Sequence, residues 1–452
     1  TSGGQQTRAL RLRSADGRMF FFRSLDKDPS TVLPPDLRGT VAASVVQDQT
    51  KSALPTAPLV VAKLLTAAAI HHADPIIVVL PDDAALGEFR AVFAGLMGTL
   101  EEGVGGSWGG ATEIVTSDSL VILTGLSAAD RVDAPAFLKA RLFDIMIGDW
   151  DRHRDQWRWA RYDDNLPRRW KPVPIDRDQA FAKYDGFLFG LARQVAPQLT
   201  NYGPGYPGMV GATWNGRDLD RRFLVGLERS TWDSVARSLR FALTDSIIRD
   251  AVHALPPQHY TIIGVTLIDW LRLRRDQLPD AARNYYSLLA GQVDVHATGG
   301  ADQATVTRTP EGDIDLKLTA SGDSAAFVSR RFKRSETGEV RLFLGEGSDT
   351  AIIRGEGRRI TVRVIGEGGS DLLVDSARTG KNRFYDDPSG PASTAGFAET
   401  VDRKPFVLRP SPNPKALPPR DWGHRWQTNI WASGGPDVGV FLGGGQTYTT
   451  YG

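Results

Sequence analysis

The chain has 452 residues, 41% of them hydrophobic and 24% charged, enough for two or three domains of ordinary size. A net charge of +1 gives no strong pull toward nucleic acid or an anionic membrane surface. The absence of cysteine excludes disulfides, thiol catalysis and cysteine-based zinc sites, and the seven histidines show no metal-ligand spacing.

In chain order, Gly3-Gly4-Gln5-Gln6-Thr7 precedes an alternating strand, Leu10 to Arg13. An Asp16-Gly17 turn and the strand Met19 to Arg23 follow. A glycine turn at Gly3 and Gly4 would cradle phosphates through backbone N–H groups. Because the chain opens within that turn, an upstream strand and any export signal are expected to precede residue 1. The apolar run Leu59 to Ala69 reads as a helix and Ile76 to Leu80 as a buried strand.

The segment Phe143 to Phe181 carries the sharpest chemical suggestion. Phe137, Leu138, Leu142, Ile145 and Met146 recur at helical spacing, and Gly148 lets the chain turn out of that helix. Asp151-Arg152-His153 follows at once. Trp157 to Tyr162 and Trp170 to Ile175 read as strands joined by the turn Asp163-Asp164-Asn165-Leu166-Pro167. A hairpin places its two open ends side by side, about 4.8 Å apart, so Asp151, Gln156 and Asp176 should meet there. Two carboxylates and an amide so placed would orient a hydroxyl nucleophile and hold a divalent metal on phosphate oxygens. The alternative is a salt-bridged helix-to-hairpin corner without chemistry.

From about 190 to 290 the pattern is helical, with helices expected over Trp232–Leu243, Asp245–Leu255 and Ile262–Leu278, and Pro256-Pro257 as a breaker. After Tyr285-Tyr286 short alternating runs separated by Gly, Asp and Ser predict an all-β module. Within it Gly345-Glu346-Gly347-Ser348-Asp349 and Gly366-Glu367-Gly368-Gly369-Ser370-Asp371 echo each other and resemble the turns of calcium-binding β-rolls. Two imperfect copies are too few for a roll. The expectation is therefore Gly-rich hairpin turns, with calcium at Asp349 and Asp371 not expected. A Pro-rich linker follows, and then a tail in which Val438 to Leu442, Gly443-Gly444-Gly445 and Tyr448 to Tyr451 suggest a strand pair.

The Asp151–Asp176 segment resembles the catalytic core of atypical kinases of the HipA type, the secretory-pathway (Golgi casein kinase) type and the phosphoinositide kinases. The resemblance implies that Asp151 is the base in an Asp-Arg-His turn completed by His153. It puts Gln156 at the auxiliary metal position and Asp176 at the main one, with ATP and Mg²⁺ or Mn²⁺ as cofactors. Gln156 is a departure, since a neutral amide binds Mg²⁺ less strongly than a carboxylate. Such kinases hold nucleotide phosphates with a lysine; Arg23 is the first candidate here and Lys27 the second, beside Gly3 and Gly4, the alternative being a solvated strand edge. Gln47, Asp48 and Gln49 lie where its acidic partner is sought, and Glu101-Glu102-Gly103 falls at the hinge position.

The tail, with Asp421-Trp422-Gly423 at the junction, resembles the start of the bacterial surface-antigen (BamA/TamA superfamily) barrel, the alternative being an ordinary hairpin. The implied class is α+β: a bilobal atypical kinase-like domain over 1–290 (N-lobe about 1–105, C-lobe about 106–290), an all-β module over 291–400, a linker over 401–420 and the opening strands of a possible outer-membrane β-barrel over 421–452. The implied location is the bacterial periplasm, associated with the outer membrane through that barrel. Two function classes follow: a kinase or pseudokinase acting on an unidentified protein, lipid or small molecule and not on nucleic acid, or a non-catalytic periplasmic scaffold for outer-membrane protein or lipid handling.

Overall fold

The computed structural model describes residues 7–27, 53–185, 193, 197–386, 393–396, 401–402, 423–435 and 439–451. Strands β1 (Thr7–Arg13), β2 (Met19–Lys27), β3 (Ile76–Val79) and β4 (Met97–Glu102) form an antiparallel sheet ordered β1-β2-β4-β3. The pleat gives this sheet two faces. Leu10, Phe22 and Leu100 share one face with a small core that includes Leu80, Leu86 and Phe93. Arg11, Phe21, Arg23 and Glu101 share the other.

The larger lobe is built around helix α3 (Ala134–Ile147), which follows α1 (Ala57–Ala67) and α2 (Ser117–Leu126). Asp133 caps α3 by accepting from Ala136 N at 3.1 Å, and Gly148 ends it in the left-handed region at φ 71°. Apolar apart from Lys139, Arg141 and Asp144, α3 is buried from Phe137 to Ile147 except at Lys139. Against it lie a sheet ordered β5-β7-β8-β6 (Glu113–Thr116, Trp157–Arg161, Arg168–Pro174, Asp130–Val132) and helices α4 (Arg217–Phe223), α5 (Arg229–Ala242), α6 (Asp245–Val252) and α7 (Val265–Ala290). Helix α7 runs through Pro279 beyond the expected end at Leu278. Helix α1, within the span assigned to the N-lobe, puts Val60, Val61, Leu64 and Leu65 into the core of the larger lobe, and Thr56 Oγ1 meets His259 Nδ1 at 2.7 Å.

The β module departs from the hairpin expectation. Strands β9 (Gln292–His296), β13 (Glu339–Phe343), β15 (Thr361–Ile365), β17 (Lys381–Tyr385) and β19 (Val401–Asp402) form one parallel sheet. Strands β10 (Asp302–Arg308), β14 (Thr350–Gly355), β16 (Leu372–Asp375) and β18 (Ser393–Gly396) form a second, which β11 (Ile314–Ala320) and β12 (Ala326–Phe332) extend as an antiparallel pair. The chain alternates between the sheets, one strand in each per coil, and so builds a β-roll. Val293, Val340 and Val362 stack inside it, as do Val295, Leu342 and Val364.

The two Gly-Asp motifs are therefore not hairpin turns. They are stacked crossings from one sheet to the other, and Thr298-Gly299-Gly300-Ala301-Asp302 is a further, divergent copy. Stacking explains the glycines: Gly345, Gly347 and Gly369 have φ of 87°, 121° and 99°, and a Cβ on Gly369 would collide with Gly347 O. The roll is seated on the larger lobe through the buried Arg330 of β12, which donates to Val225 O and, at 3.2 Å, to Tyr286 Oη.

Strands β20 (Gly423–Gly435) and β21 (Gly439–Tyr451) form an antiparallel hairpin, and no closed barrel is present among the described residues. No helix among them is long and apolar enough to cross a membrane. The Pro-rich linker and Asp421-Trp422 lie outside the described residues.

Candidate functional site

The hairpin β7–β8 closes at its open end with Ile175 N donating to Gln156 O at 3.0 Å. Arg152, fully buried, then ties the corner together. Its Nη1 donates to Ile175 O at 2.9 Å and Asp176 O at 3.0 Å, and its Nη2 to Gln156 O at 2.7 Å. One guanidinium so binds the main chain of both hairpin ends, next in sequence to Asp151. Its ring-like plane also lies 4.7 Å from the centre of Trp157.

Arg152 is one of three buried arginines facing three buried aspartates. Arg141 grips Asp220 in bidentate fashion at 2.7 and 2.9 Å and reaches Asp144 at 3.0 Å. Arg177 donates to Asp144 and, at 3.0 Å, to Asp149. Burial pushes the Asp149 carboxyl up to about 6 although Arg152 and Arg177 oppose the shift. In the loop after β8, Arg177 donates into this network, and it lines a cleft together with Asp176 and Asp178. Asp176 holds φ 58°, an uncommon conformation for a residue with a side chain.

The cleft, about 280 Å³, lies between the two lobes. Phe21, Arg23 and Glu101–Val104 form one wall, Val61, Ala62 and Leu65 of α1 an apolar one, and Arg158, Asp176 and Asp178 the floor. Arg23 bridges the lobes: it is paired with Glu101, and its Nη2 lies 3.7 Å from Asp176 Oδ2. Burial disfavours the charge of Arg23, but Asp176 and Glu101 outweigh it and hold the guanidinium above its ordinary range. Burial likewise raises the Glu101 carboxyl, with Arg23 opposing.

Asp151 and His153 are not among the residues lining this cleft, and neither is Gln156. Asp151 accepts a hydrogen bond from Asn215 Nδ2 at 2.8 Å, and His153 Nε2 stands 3.9 Å from its other oxygen. Lys27 closes β2, with its side chain outside the described residues; Gly3, Gly4, Gln47, Asp48 and Gln49 lie outside them too. Among the described residues no three His, Asp or Glu side chains are grouped to hold a metal ion. Asp176 and Asp178 are the carboxylates that the loop after β8 brings to the cleft, opposite Glu101 and Glu102.

Sequence reasoning missed Glu101 as the partner of Arg23, Asn215 as the partner of Asp151, and the arginine–aspartate network. Arg141 and Asp144 carried a signal, as charges inside an otherwise apolar helix.

No family model matches the chain, and no curated protein matches it. Among solved structures it is similar to the Helicobacter pylori proinflammatory kinase CtkA, at TM-score 0.32 and 11% identity over 63% of this chain and 93% of that one. It is also similar to the Shewanella oneidensis MR-1 toxin–antitoxin complex of HipA, HipB and operator DNA (TM-score 0.27, 14% identity, 63% and 67% covered). A third is WaaP in complex with acyl carrier protein (TM-score 0.23, 12% identity, 62% and 87% covered). At scores this low the likenesses carry no weight for the site, whose reading rests on its own geometry.

Proposed function

We propose that residues 7–290 form an atypical kinase-like domain that binds a nucleotide in the interlobe cleft and transfers its terminal phosphoryl group to a hydroxyl. The observation that carries this reading is the Arg23–Asp176 bridge across a cleft with one apolar wall and a charged floor that includes Asp176 and Asp178. A purine would lie on the α1 side of the cleft. Arg23 would hold its phosphates, and Asp176 would then hold Mg²⁺ or Mn²⁺. The cation would neutralise charge on the phosphate oxygens. Asp151, oriented by Asn215, accepts the proton of the attacking hydroxyl. The salt-bridged corner accounts for Arg152, Arg177 and Asp149; Asp151 and Asp176 flank it and are held instead by Asn215 and Arg23.

Thermal unfolding with ATP and Mg²⁺ or Mn²⁺ tests the reading. Ligand at about 100 times its Kd stabilises by about 2.7 kcal/mol, so a clear rise in midpoint is expected. Asp176→Ala should abolish the rise, while Asp151→Ala should keep it and lose phosphoryl transfer. No rise with any nucleotide–metal pair overturns nucleotide binding and leaves the scaffold reading.

One observation favours a second element of function, association with an outer membrane. Ile430, Leu442 and Tyr448 share one face of the β20–β21 hairpin, with Ile430 and Leu442 84% and 81% exposed. Asn429 and Thr447, hydrogen-bonded at 2.7 Å, share the opposite face. Trp431, 55% exposed, stands on that opposite face as well, so large apolar side chains are exposed on both faces of a strand pair rich in aromatics and glycine, the composition of barrel strands.

A further inference from the structure

The crossings of the β-roll line up a column of aspartates. Asp302, Asp349 and Asp371 stand at equivalent places in successive coils, and each is at least 97% buried. Asp349 Oδ1 accepts from Asp302 N at 2.7 Å, and Asp371 Oδ1 accepts from Asp349 N at 3.0 Å. Thr298 donates to Asp302 Oδ2 from both its N and its Oγ1. In every case the second oxygen is buried without a partner: Asp302 Oδ1, Asp349 Oδ2 and Asp371 Oδ2. A buried, ionised oxygen with no donor is costly unless a positive charge meets it.

A second observation concerns Gly366. A Cβ there would lie 2.5 Å from Asp371 Oδ2 and 2.5 Å from Asp386 Oδ1, so two carboxylates of neighbouring coils converge on a spot kept clear by a glycine. The crossings also offer carbonyls: Gly345 O and Gly347 O each accept one backbone N–H from the next coil, from Gly368 and Ser370 at 3.2 Å, and keep a second lone pair. Asp302 feels the positive charge of Arg131 without a hydrogen bond to it, while Asp349 and Asp371 have only carboxylates as charged neighbours. Burial, reinforced by neighbouring carboxylates, pushes Asp349 up to about 7 and Asp371 up to about 6, as expected of carboxylates that lack a counter-charge.

We propose that the aspartate column of the β-roll is a binding site for a hard divalent cation of the calcium class, held between successive coils by the free oxygens of Asp302, Asp349 and Asp371 with turn carbonyls and water. All available donors are oxygen, and carboxylates with turn carbonyls and water make the larger, irregular shell that suits Ca²⁺ better than the rigid octahedron of Mg²⁺. No three carboxylates meet at one point among the described residues. Each cation therefore has about two of them, and the affinity falls at the weak end, on the order of 0.1–1 mM. The site lies apart from the interlobe cleft and does not depend on its function.

Equilibrium dialysis of the whole, chelator-treated protein against calcium at mildly alkaline pH tests the site without any variant. At least one bound calcium per chain is expected, with a rise in unfolding midpoint of about 3 °C or more that sodium chloride of equal ionic strength does not reproduce. The double variant Asp349→Asn, Asp371→Asn keeps shape and backbone bonds. It should lose calcium uptake at least tenfold and unfold at a higher midpoint than the calcium-free parent. No uptake by the parent at about 10 mM calcium, tenfold above the weak end of that range, overturns the proposal and leaves a column neutralised by protons alone. Equal uptake by the folded variant overturns it as well.

Discussion

Arg152 shows how much one side chain can organise. It is fully buried, donates three hydrogen bonds to backbone carbonyls and has Asp144 and Asp149 beside it at 3.4 and 3.6 Å. Arg152→Met keeps most of the volume and the contact with Trp157. It strands the carbonyls of Gln156, Ile175 and Asp176 and leaves the network one positive charge short. Removing one partner from a buried charge network costs about 3–5 kcal/mol, so the urea midpoint should fall by that equivalent. The corner flanked by Asp151, Gln156 and Asp176 was legible in the sequence because it closes one hairpin, where local turn and strand signals suffice. The Arg23–Glu101 pair was not legible: 78 residues separate its members, and no local pattern says which strand will lie beside β2.

At the scale of elements, the roll is governed by glycines whose freedom is demanded by neighbours. Gly369 has φ 99° with Gly347 O in the way of a Cβ, whereas Gly322, in the turn between β11 and β12, has φ 87° with open space around it. Gly322→Ala should cost only the left-handed penalty, about 1–2 kcal/mol. Gly369→Ala adds overpacking of about 1–3 kcal/mol. Chemical denaturation of the two variants should rank them in that order, and equal losses would contradict the stacked crossing. The roll was hidden because each motif, taken alone, has the residues of a hairpin turn. The equivalent aspartates Asp349 and Asp371 are 22 residues apart, but Asp302 and Asp349 are 47 apart, since β11 and β12 are inserted between them. That insertion breaks the period by which repeats are recognised.

For the whole molecule, the lobes, the roll and the terminal hairpin put different chemistry in different places: a charged cleft, a buried acidic column, and a strand pair with exposed apolar side chains. If the hairpin belongs to a lipid-embedded barrel, the protein should sediment with liposomes of outer-membrane lipid. A chain ending before residue 421 should remain in the supernatant. Equal partition of the two would remove the membrane role while leaving the cleft untouched.

Composition and periodicity were enough to mark an α+β chain, the helix ending at Gly148, the β7–β8 hairpin and a β module after residue 290. These depend on which side of an element faces inward, and a side chain's polarity reports that directly. Tertiary structure alone decided the direction of strand pairing in the module, the placement of α1 in the larger core, and the partners of Arg23, Asp151 and Arg152. Those outcomes depend on which distant segment arrives next to which. Periodicity records that a surface is to be covered, but the covering segment is selected by the packing of the whole chain.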